Sequence, residues 1–383
     1  MYNLLSDLTV GSILLLAFLV LTAKRLANAK ANRWLGFFLL TLTIFMLDDS
    51  LTVHGVYKEY PMLIGVPFTF IFTLSPTLYL VVSRYVAIEK RFQWKHCLHF
   101  IPAFLFFLLF IPFFLSNDSI KLASIAEAPE KLNTESVILL SCWMVQLSSY
   151  WMLSLVKLRK HRKKMELLTA SPAEFQLDWL RNFLYGIGGI VFVLLLDLVF
   201  NASFSPKGSW VDICYFVIVY FLGYFVIQQR EVFPFPVAEL PDINKVLEEN
   251  ELNSSDSKKK LVTDEALSEL KEKLIIVLEK EKSYLNPELN LSMLARQMQL
   301  GTHEMSYVLN EGFQENFYQF INRYRIEESK RLLSSPDFSH LNMLGIAFES
   351  GFNSKTAFNT SFKKQVGISP SEYQKSCRGE NNP

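Results

Sequence analysis

Seven apolar stretches follow one another in the first 230 residues of the chain. They lie near residues 4–23, 34–54, 61–83, 97–116, 135–156, 182–203 and 211–229. A helix that crosses the hydrocarbon core of a bilayer needs about 20 predominantly apolar residues, so each stretch is long enough to span a membrane. Beyond residue 230 the apolar positions recur at the spacing of short amphipathic helices. The pattern therefore predicts an all-α chain, in which a seven-helix transmembrane bundle precedes a polar helical domain.

Composition narrows the class of protein further. Of the 383 residues, 50% are hydrophobic and only 20% are charged, and the apolar excess is concentrated in the first 230 residues. These values exclude one large soluble enzyme, a disulfide scaffold and a disordered protein. The four cysteines (Cys97, Cys142, Cys214 and Cys377) have the spacing of neither a disulfide framework nor a metal site. We expect no metal and no cofactor.

The basic residues between the stretches predict the orientation of the bundle. Three alternate loops carry four, four and seven Lys or Arg, whereas the other side carries only Lys58, Lys121, Lys131 and Lys207. The positive-inside rule then places the N-terminus outside and the C-terminus in the cytoplasm. The first stretch is not predicted to be a signal peptide, because its basic residues follow the apolar run and do not precede it.

Ionisable side chains lie within three of the stretches, towards their predicted outer ends. Such groups are costly at membrane depth and need a reason. One interpretation is a polar pocket, open to the outside, that binds a cationic or hydrogen-bonding ligand. The other is that these groups reach the headgroups or form hydrogen bonds between helices. The residues are Asp48, Asp49, His54, Asp197 and Asp212.

Residues 230–263 have the composition of a linker. Pro234, Pro236 and Pro241 are followed by an acidic stretch and then by Lys258-Lys259-Lys260. Sequence of this kind is typical of a tether, with an r.m.s. span of roughly 30 Å if it is flexible. A solvated linker is the simpler interpretation of the lysine run, and contact with anionic lipid or DNA is the alternative.

Two pairs of short helices are predicted in the polar part of the chain, at either end of a longer helix over about 316–333. Two short helices joined by a turn of three or four residues are typical of a helix-turn-helix unit. Ser354 is a suitable N-cap for the last helix of the second pair. The pairs extend over 291–298 with 302–310, and over 344–350 with 354–364.

The run Ile346-Ala-x-x-x-Gly-Phe-x-Ser-x-x-x-Phe-x-x-x-Phe-Lys-Lys-x-x-Gly-x-Ser-Pro-x-x-Tyr373 resembles the signature of AraC/XylS-type transcription regulators. Phe320–Arg325 and Lys330–Leu333 resemble the connecting helix of that family, and the resemblance covers about residues 268–377. Seven spans before such a domain resemble the membrane-bound members found in Bacteroidetes-type bacteria. One departure concerns the first turn, where this chain has Gln299 and Gly301 in place of the usual Gly and Ser.

The resemblance implies which side chains face DNA. Lys355 can donate to guanine and Asn359 can read adenine, while Lys363 and Arg325 are assigned to phosphate or structural roles. From Arg323 to Arg378 there are nine Lys or Arg against five acids, so we expect this half to supply most phosphate contacts. The alternative is that these positions form only a solvated helix face. The base-edge positions are His303, Ser306, Tyr307 and Asn310 in the first unit and Lys355, Thr356, Asn359 and Thr360 in the second.

Together these features predict a one-component transcription regulator of the bacterial inner membrane, and no enzyme. The expected domains are a seven-span sensor or anchor (1–229), a linker (230–263), a double helix-turn-helix domain (264–377) and a tail (378–383). Expected partners are double-stranded promoter DNA, the lipid bilayer, an unknown small ligand or envelope partner, and a second copy in a homodimer. One alternative makes the spans an anchor that answers to a partner protein. Another is an intramembrane transporter or enzyme with an appended regulator, which the lack of paired catalytic residues disfavours.

Overall fold

The computed structural model describes residues 2–23, 28–87, 93–126, 134–172, 177–200, 210–228, 239–252 and 261–377. Within these ranges the regular elements are helices, and extended backbone pairs at one isolated bridge between Thr169 and Asn290. The prediction of an all-α fold is confirmed. The basic positions Lys24, Arg25, Lys90, Arg91, Lys131 and Lys207, the linker residues 230–238 and 253–260, and the tail 378–383 lie outside the described residues.

The chain divides into two compact units. The first comprises residues 1–159 and 177–232, and the second comprises residues 160–176 and 233–383. Ten helices belong wholly or mainly to the first unit as described: α1 (Tyr2–Thr22), α2 (Ala29–Val53), α3 (Val56–Glu59), α4 (Val66–Thr69), α5 (Ile71–Tyr85), α6 (Ile101–Phe114), α7 (Asp118–Ala126), α8 (Thr134–Leu168), α9 (Asp178–Phe200) and α10 (Trp210–Gln228).

Five helical segments among the described residues are long and apolar enough to cross a membrane. They are Leu4–Thr22, Ala29–Val53, Pro61–Tyr85, Trp94–Phe114 and Val137–Leu168. Helices α9 and α10 occupy the positions of the sixth and seventh predicted stretches. The third stretch is not one straight helix, because the chain turns at Gly65, whose φ of 82° favours glycine, before α4 begins.

The second unit contains the remaining helices: α11 (Leu240–Leu252), α12 (Asp264–Glu281), α13 (Leu291–Gln297), α14 (Thr302–Tyr307), α15 (Phe317–Ser334), α16 (Met343–Glu349), α17 (Lys355–Val366) and α18 (Pro370–Cys377). A turn of π-helix, Val308–Gly312, extends α14. The core beneath α16 and α17 is aromatic and aliphatic, with Ile346, Phe352, Phe358 and Phe362 fully or almost fully buried against α15.

Helix α11 lies in the segment that the sequence predicts to be a flexible linker. Leu240, Ile243, Val246 and Leu247 have the i, i+3, i+4 spacing of an apolar helix face, and the last three are buried. Pro241 is the second residue of the helix, where its missing N–H leaves no hydrogen bond unmade. Part of the linker is therefore an ordered helix of the second unit.

Candidate nucleic-acid interface

Helices α16 and α17 form a helix-turn-helix whose ends are capped by side chains. Asn342 accepts hydrogen bonds from the backbone N–H groups of Leu344 and Gly345 at the start of α16. The Ser354 hydroxyl accepts one from Ala357 N–H at 3.2 Å at the start of α17. Each cap satisfies donors that a helix start leaves without partners. The two caps fix where α17 begins and hence which side chains it presents.

Gly351 makes the turn between these helices. Its φ is +87°, and a Cβ added there would lie 2.5 Å from the Tyr284 carbonyl oxygen and 2.8 Å from the Leu285 Cα. Both the left-handed backbone and the close approach exclude a side chain. The turn of the second helix-turn-helix is thereby packed against the backbone at residues 284–285, which precedes the first helix-turn-helix.

Helix α17 separates a buried face from an exposed one. Phe358, Ser361 and Phe362 are buried, and the Ser361 hydroxyl lies 3.0 Å from the Tyr318 hydroxyl on α15. The positions that the resemblance assigns to base contacts lie on the opposite face, which is exposed. These are Lys355, Thr356, Asn359 and Thr360, with Lys363 continuing the same face. The structure brings all five predicted side chains of this unit together on one surface.

Helices α13 and α14 form the first helix-turn-helix by different local chemistry. Asn290 caps α13 by accepting from Met293 N–H at 2.9 Å. Gly301 stands at the N-cap of α14, and its N–H donates to the Glu304 carboxylate at 2.9 Å. Gln299 has a φ of 57° in the turn, the left-handed conformation that glycine usually supplies. The departure from the family pattern thus leaves the turn intact.

The base-contact positions predicted in the first helix-turn-helix, called its reading positions, are less exposed than those in the second helix-turn-helix. His303, Tyr307 and Asn310 are half-buried, and Ser306 is only 8% exposed. The Ser306 hydroxyl instead lies 3.4 Å from the Asn310 amide nitrogen, which donates to it. In this conformation Ser306 is not available to a base edge, which differs from the expectation.

Arg325, on the connecting helix α15, is fully buried. Its Nε donates to the Tyr284 carbonyl at 2.7 Å and its Nη2 to the Asn286 carbonyl at 2.8 Å. Burial lowers the pKa of Arg325 to about 10, so the guanidinium remains charged at neutral pH. The prediction that Arg325 contacts DNA is corrected, because a side chain without exposed surface cannot reach a phosphate. Of the two roles expected for it, the structural one fits.

A segment from between the fifth and sixth predicted stretches also packs at Arg325. The Ser171 hydroxyl donates to the Pro287 carbonyl at 3.0 Å and lies 3.4 Å from Arg325 Nη1. Asn322 Nδ2 lies 3.4 Å from the Ala170 carbonyl, and Thr169 bridges to Asn290. Sequence reasoning gave no sign of this contact, since it joins residues more than 110 positions apart.

Apart from the buried Arg325, the basic residues of α15 are held in ion pairs. Arg323 forms a bidentate pair with Glu315 at 3.0–3.1 Å, and Lys330 and Arg331 pair with acids three residues earlier on the same helix. By contrast, the cationic side chains of α17, Lys355, Lys363 and Lys364, are exposed. Helix α17 therefore presents exposed positive charge, whereas acidic partners partly neutralise the charge of the paired basic residues on α15. It is the better candidate for phosphate contacts.

In the first compact unit, residues 1–159 and 177–232, acids predicted to line a sensing pocket have local hydrogen-bond partners. The Tyr57 hydroxyl donates to the Asp48 carboxylate at 2.5 Å, and His54 Nε2 lies 2.8 Å from a carboxylate oxygen of Asp7. Asp49 is exposed. The side chains of Asp197 and Asp212 lie outside the described part of the structure. Asp7, which also accepts from Ser50 at 2.6 Å, was not singled out by the sequence.

A cavity of about 80 Å³ in the same unit has a different character. Its lining comes from α2, α5, α8, α9 and α10, is apolar apart from the indole of Trp143, and includes none of the predicted acids. Among the described residues, no three His, Cys, Asp or Glu side chains lie together as a metal site would need.

The known proteins that resemble this chain match part of its second compact unit, which includes residues 233–383. Residues 294–376 match a family described as a helix-turn-helix domain. An 87-residue segment is 32% identical to the melibiose operon regulatory protein of Escherichia coli strain K12 and to that of strain O6:H1, covering 23% of this chain and 28% of theirs. The chain thus spans less than a third of the length of these relatives.

One solved structure is also similar to this chain, namely the C-terminal domain of the two-component response regulator yesN from Fusobacterium nucleatum. The identity is 29%, the match covers 27% of this chain and 96% of that domain, and the TM-score is 0.25. The family match and the two capped helix pairs agree that residues 294–376 form a helix-turn-helix domain.

Proposed function

We propose that the chain is a transcription regulator that binds specific promoter sequences through its C-terminal domain. The observation that carries this proposal is the exposed face of α17, where five side chains suited to bases and phosphates project from a helix whose other face is anchored in the core. A helix of this kind fits the major groove, in which each base pair presents a distinct set of donors and acceptors. The regulatory role named for the Escherichia coli relatives is of the same kind.

The test of DNA recognition uses the full chain in lipid nanodiscs and duplexes selected by it from a random library. Lys355→Ala and Asn359→Ala should each weaken binding to the selected duplex by about 1–3 kcal/mol and relax the preference at one position. Glu349→Ala, at an exposed site on the first helix of the same unit, is the control and should have little effect. If the wild-type chain enriches no sequence over random DNA, the proposal fails.

We also propose that the first unit is a multi-pass domain of the bacterial inner membrane, with the N-terminus outside and the DNA-binding domain in the cytoplasm. The five apolar helical segments and the uneven distribution of basic residues support this placement. No residues act as catalysts in this proposal. The membrane domain senses an envelope or membrane ligand, and a ligand controls the protein only if it favours one helix arrangement over another.

Substitution of the acids tests whether they take part in sensing. Asp48→Asn keeps the shape of the side chain but weakens the hydrogen bond from Tyr57 by removing the charge. Under the sensing proposal, Asp48→Asn or Asp197→Asn abolishes or locks the transcriptional response while protein level stays unchanged. The anchor alternative expects that an unrelated membrane anchor with a cytoplasmic C-terminus can replace the spans without loss of regulation, provided that residues 160–176 are kept in the chimera. A chimera that responds as the wild type does would overturn sensing by the spans.

A further inference from the structure

The two helix-turn-helix units can be compared position by position from their N-caps, Gly301 for α14 and Ser354 for α17. With this register the core positions agree, since Met305 and Leu309 are as fully buried as Phe358 and Phe362. The same register pairs the four predicted base-edge positions of the first helix-turn-helix, together with Thr302, with the five predicted DNA-contact positions on α17. The pairs are Thr302 with Lys355, His303 with Thr356, Ser306 with Asn359, Tyr307 with Thr360 and Asn310 with Lys363.

The reading faces differ although the cores agree. All five positions on α17 are exposed, whereas on α14 Thr302 is 6% exposed, Ser306 is 8% exposed and the other three are half-buried. The size of the side chains does not explain this, because Tyr307 is larger than Thr360 and still less accessible. Neighbouring structure must therefore shield the first reading face.

Part of the shielding of Thr302 comes from α13, whose Ser292 hydroxyl lies 3.4 Å from that of Thr302, and the other neighbour is helix α11. It packs against α14, and its Ile243, Val246 and Leu247 are buried. An ion pair between Glu239 and Arg296 ties the start of α11 to the last turn of α13, the other helix of the first unit. Helix α11 thus contacts α14 itself, and the residue before α11 forms an ion pair with Arg296 on the neighbouring helix α13.

The reading face of α14 cannot contact DNA while α11 is packed on it. An α-helix with its side chains is about 10–12 Å across and the major groove is about 12 Å wide, so the groove has no room for α14 with a second helix packed on it. The charge of α11 has the same consequence. Residues 239–252 contain five acids and one lysine, a balance that repels phosphates.

We propose that α11 is an inhibitory segment that occupies the DNA-reading face of the first helix-turn-helix unit. The second helix-turn-helix is free to bind DNA, and the first helix-turn-helix binds only after α11 has moved away. Because α11 follows the last apolar stretch of the chain, a change in the membrane domain has a direct covalent route to it. The inference rests on the proposed function for its biological meaning, but its structural part is testable without DNA.

The structural part is tested by thiol labelling of the full chain in nanodiscs, in a background where the four native cysteines are serine. Ser306→Cys reports the first reading face and Asn359→Cys the equivalent position of the second. Asn359→Cys should react quickly and Ser306→Cys at least tenfold more slowly. Adding Ile243→Glu, which places a carboxylate on the buried face of α11, should remove most of that difference. Lys245→Glu, on the exposed side of α11, is the matched control and should leave it unchanged.

A separate cysteine distinguishes release of α11 from unfolding. Ser292 is buried on α13, and its hydroxyl lies 3.4 Å from that of Thr302 on α14. Ser292→Cys should stay protected in the Ile243→Glu chain if α13 and α14 remain packed. If Ile243→Glu unfolds the unit, Glu239→Gln replaces it, since loss of the ion pair should accelerate labelling at Ser306→Cys more mildly. Equal labelling at Ser306→Cys and Asn359→Cys in the parent chain would overturn the inference.

Binding of the selected duplex tests the inhibitory role. The Ile243→Glu chain should bind about tenfold more tightly than the parent and protect about one additional turn of the duplex. Faster labelling with unchanged affinity, in a chain where Lys355→Ala still weakens binding, would show that α11 covers the face without inhibiting it and would overturn the proposal. Faster labelling with no sequence preference in any variant would contradict the proposed function and leave the covered face established.

Discussion

Replacing Gly351 by alanine tests how closely the second helix-turn-helix is pressed against the chain before α13. The substitution forces a side chain into a backbone of φ +87° and towards the Tyr284 carbonyl, which also accepts the hydrogen bond from Arg325. Gly367→Ala is a matched control, because Gly367 has a φ of +88° and no atom within 4 Å of an added Cβ. The two substitutions share the backbone strain and differ only in the close approach.

The expected losses of stability follow from these two contributions. A left-handed alanine costs about 1–2 kcal/mol, offset by about 0.4–1 kcal/mol because alanine has less freedom than glycine in the unfolded chain. Gly367→Ala should therefore lose about 1 kcal/mol. At Gly351 the Cβ would lie 2.5 Å from an oxygen, so the backbone must shift. Such displacement costs about 1–3 kcal/mol more, for a total of about 2–4 kcal/mol.

Pulse proteolysis of the full chain in urea measures the difference. With a slope of about 2 kcal/mol per molar urea, Gly351→Ala should lower the unfolding midpoint of the second unit by about 1–2 M and Gly367→Ala by about 0.5 M. Duplex binding by the Gly351→Ala chain, with and without Lys355→Ala, would show whether the destabilised domain still presents α17 to DNA. Equal midpoints for the two alanine variants would refute the argument, since the close approach would then cost nothing.

Three further predictions concern charge. Lys363→Ala should weaken binding to selected and random duplexes alike, because a phosphate contact carries no sequence information; gel-shift titrations of both duplexes measure this. Reporter fusions at residues 30 and 160 and at the C-terminus should be cytoplasmic, and fusions at residues 58, 125 and 207 should be external; an external C-terminus would contradict DNA binding. The hydrogen bond from Arg331 lowers the pKa of Glu328 below its ordinary 4.5. Glu328 therefore stabilises the second unit above that pH and loses this contribution as the pH falls through its folded pKa. Glu328→Gln should flatten the acid limb of a stability–pH curve, and an unchanged limb would show that the pair contributes nothing.

Features that repeat along the chain could be predicted from the sequence, whereas contacts between distant segments could not. The apolar stretches and the two helix pairs have a local period, and the helices begin close to where that period predicts. Helix α11 carries the same signal in Ile243, Val246 and Leu247, but nearby prolines and acids favoured the interpretation as a linker. No local pattern shows that α14 is its partner, so the burial of Ser306 could not be foreseen.

Arg325 illustrates the same difference at one residue. The resemblance assigned it either a phosphate role or a structural role. Its actual partners are carbonyl oxygens near residue 285 and the hydroxyl of Ser171, which is 154 positions earlier in the chain. A charged side chain that is buried must be compensated by hydrogen bonds. The residues that supply them are adjacent only after folding.

The packing of Ser171 against Arg325 means that the second compact unit, which carries both helix-turn-helix pairs, is discontinuous in sequence. One part of it comes from residues 160–176, before the last two apolar stretches, and the other part begins after them. No single cut therefore yields the whole domain, and a fragment that starts in the linker leaves a buried guanidinium with an open side. Transplanting the C-terminal helices onto a foreign membrane protein would have the same defect. A functional transplant needs the end of α8 to travel with them.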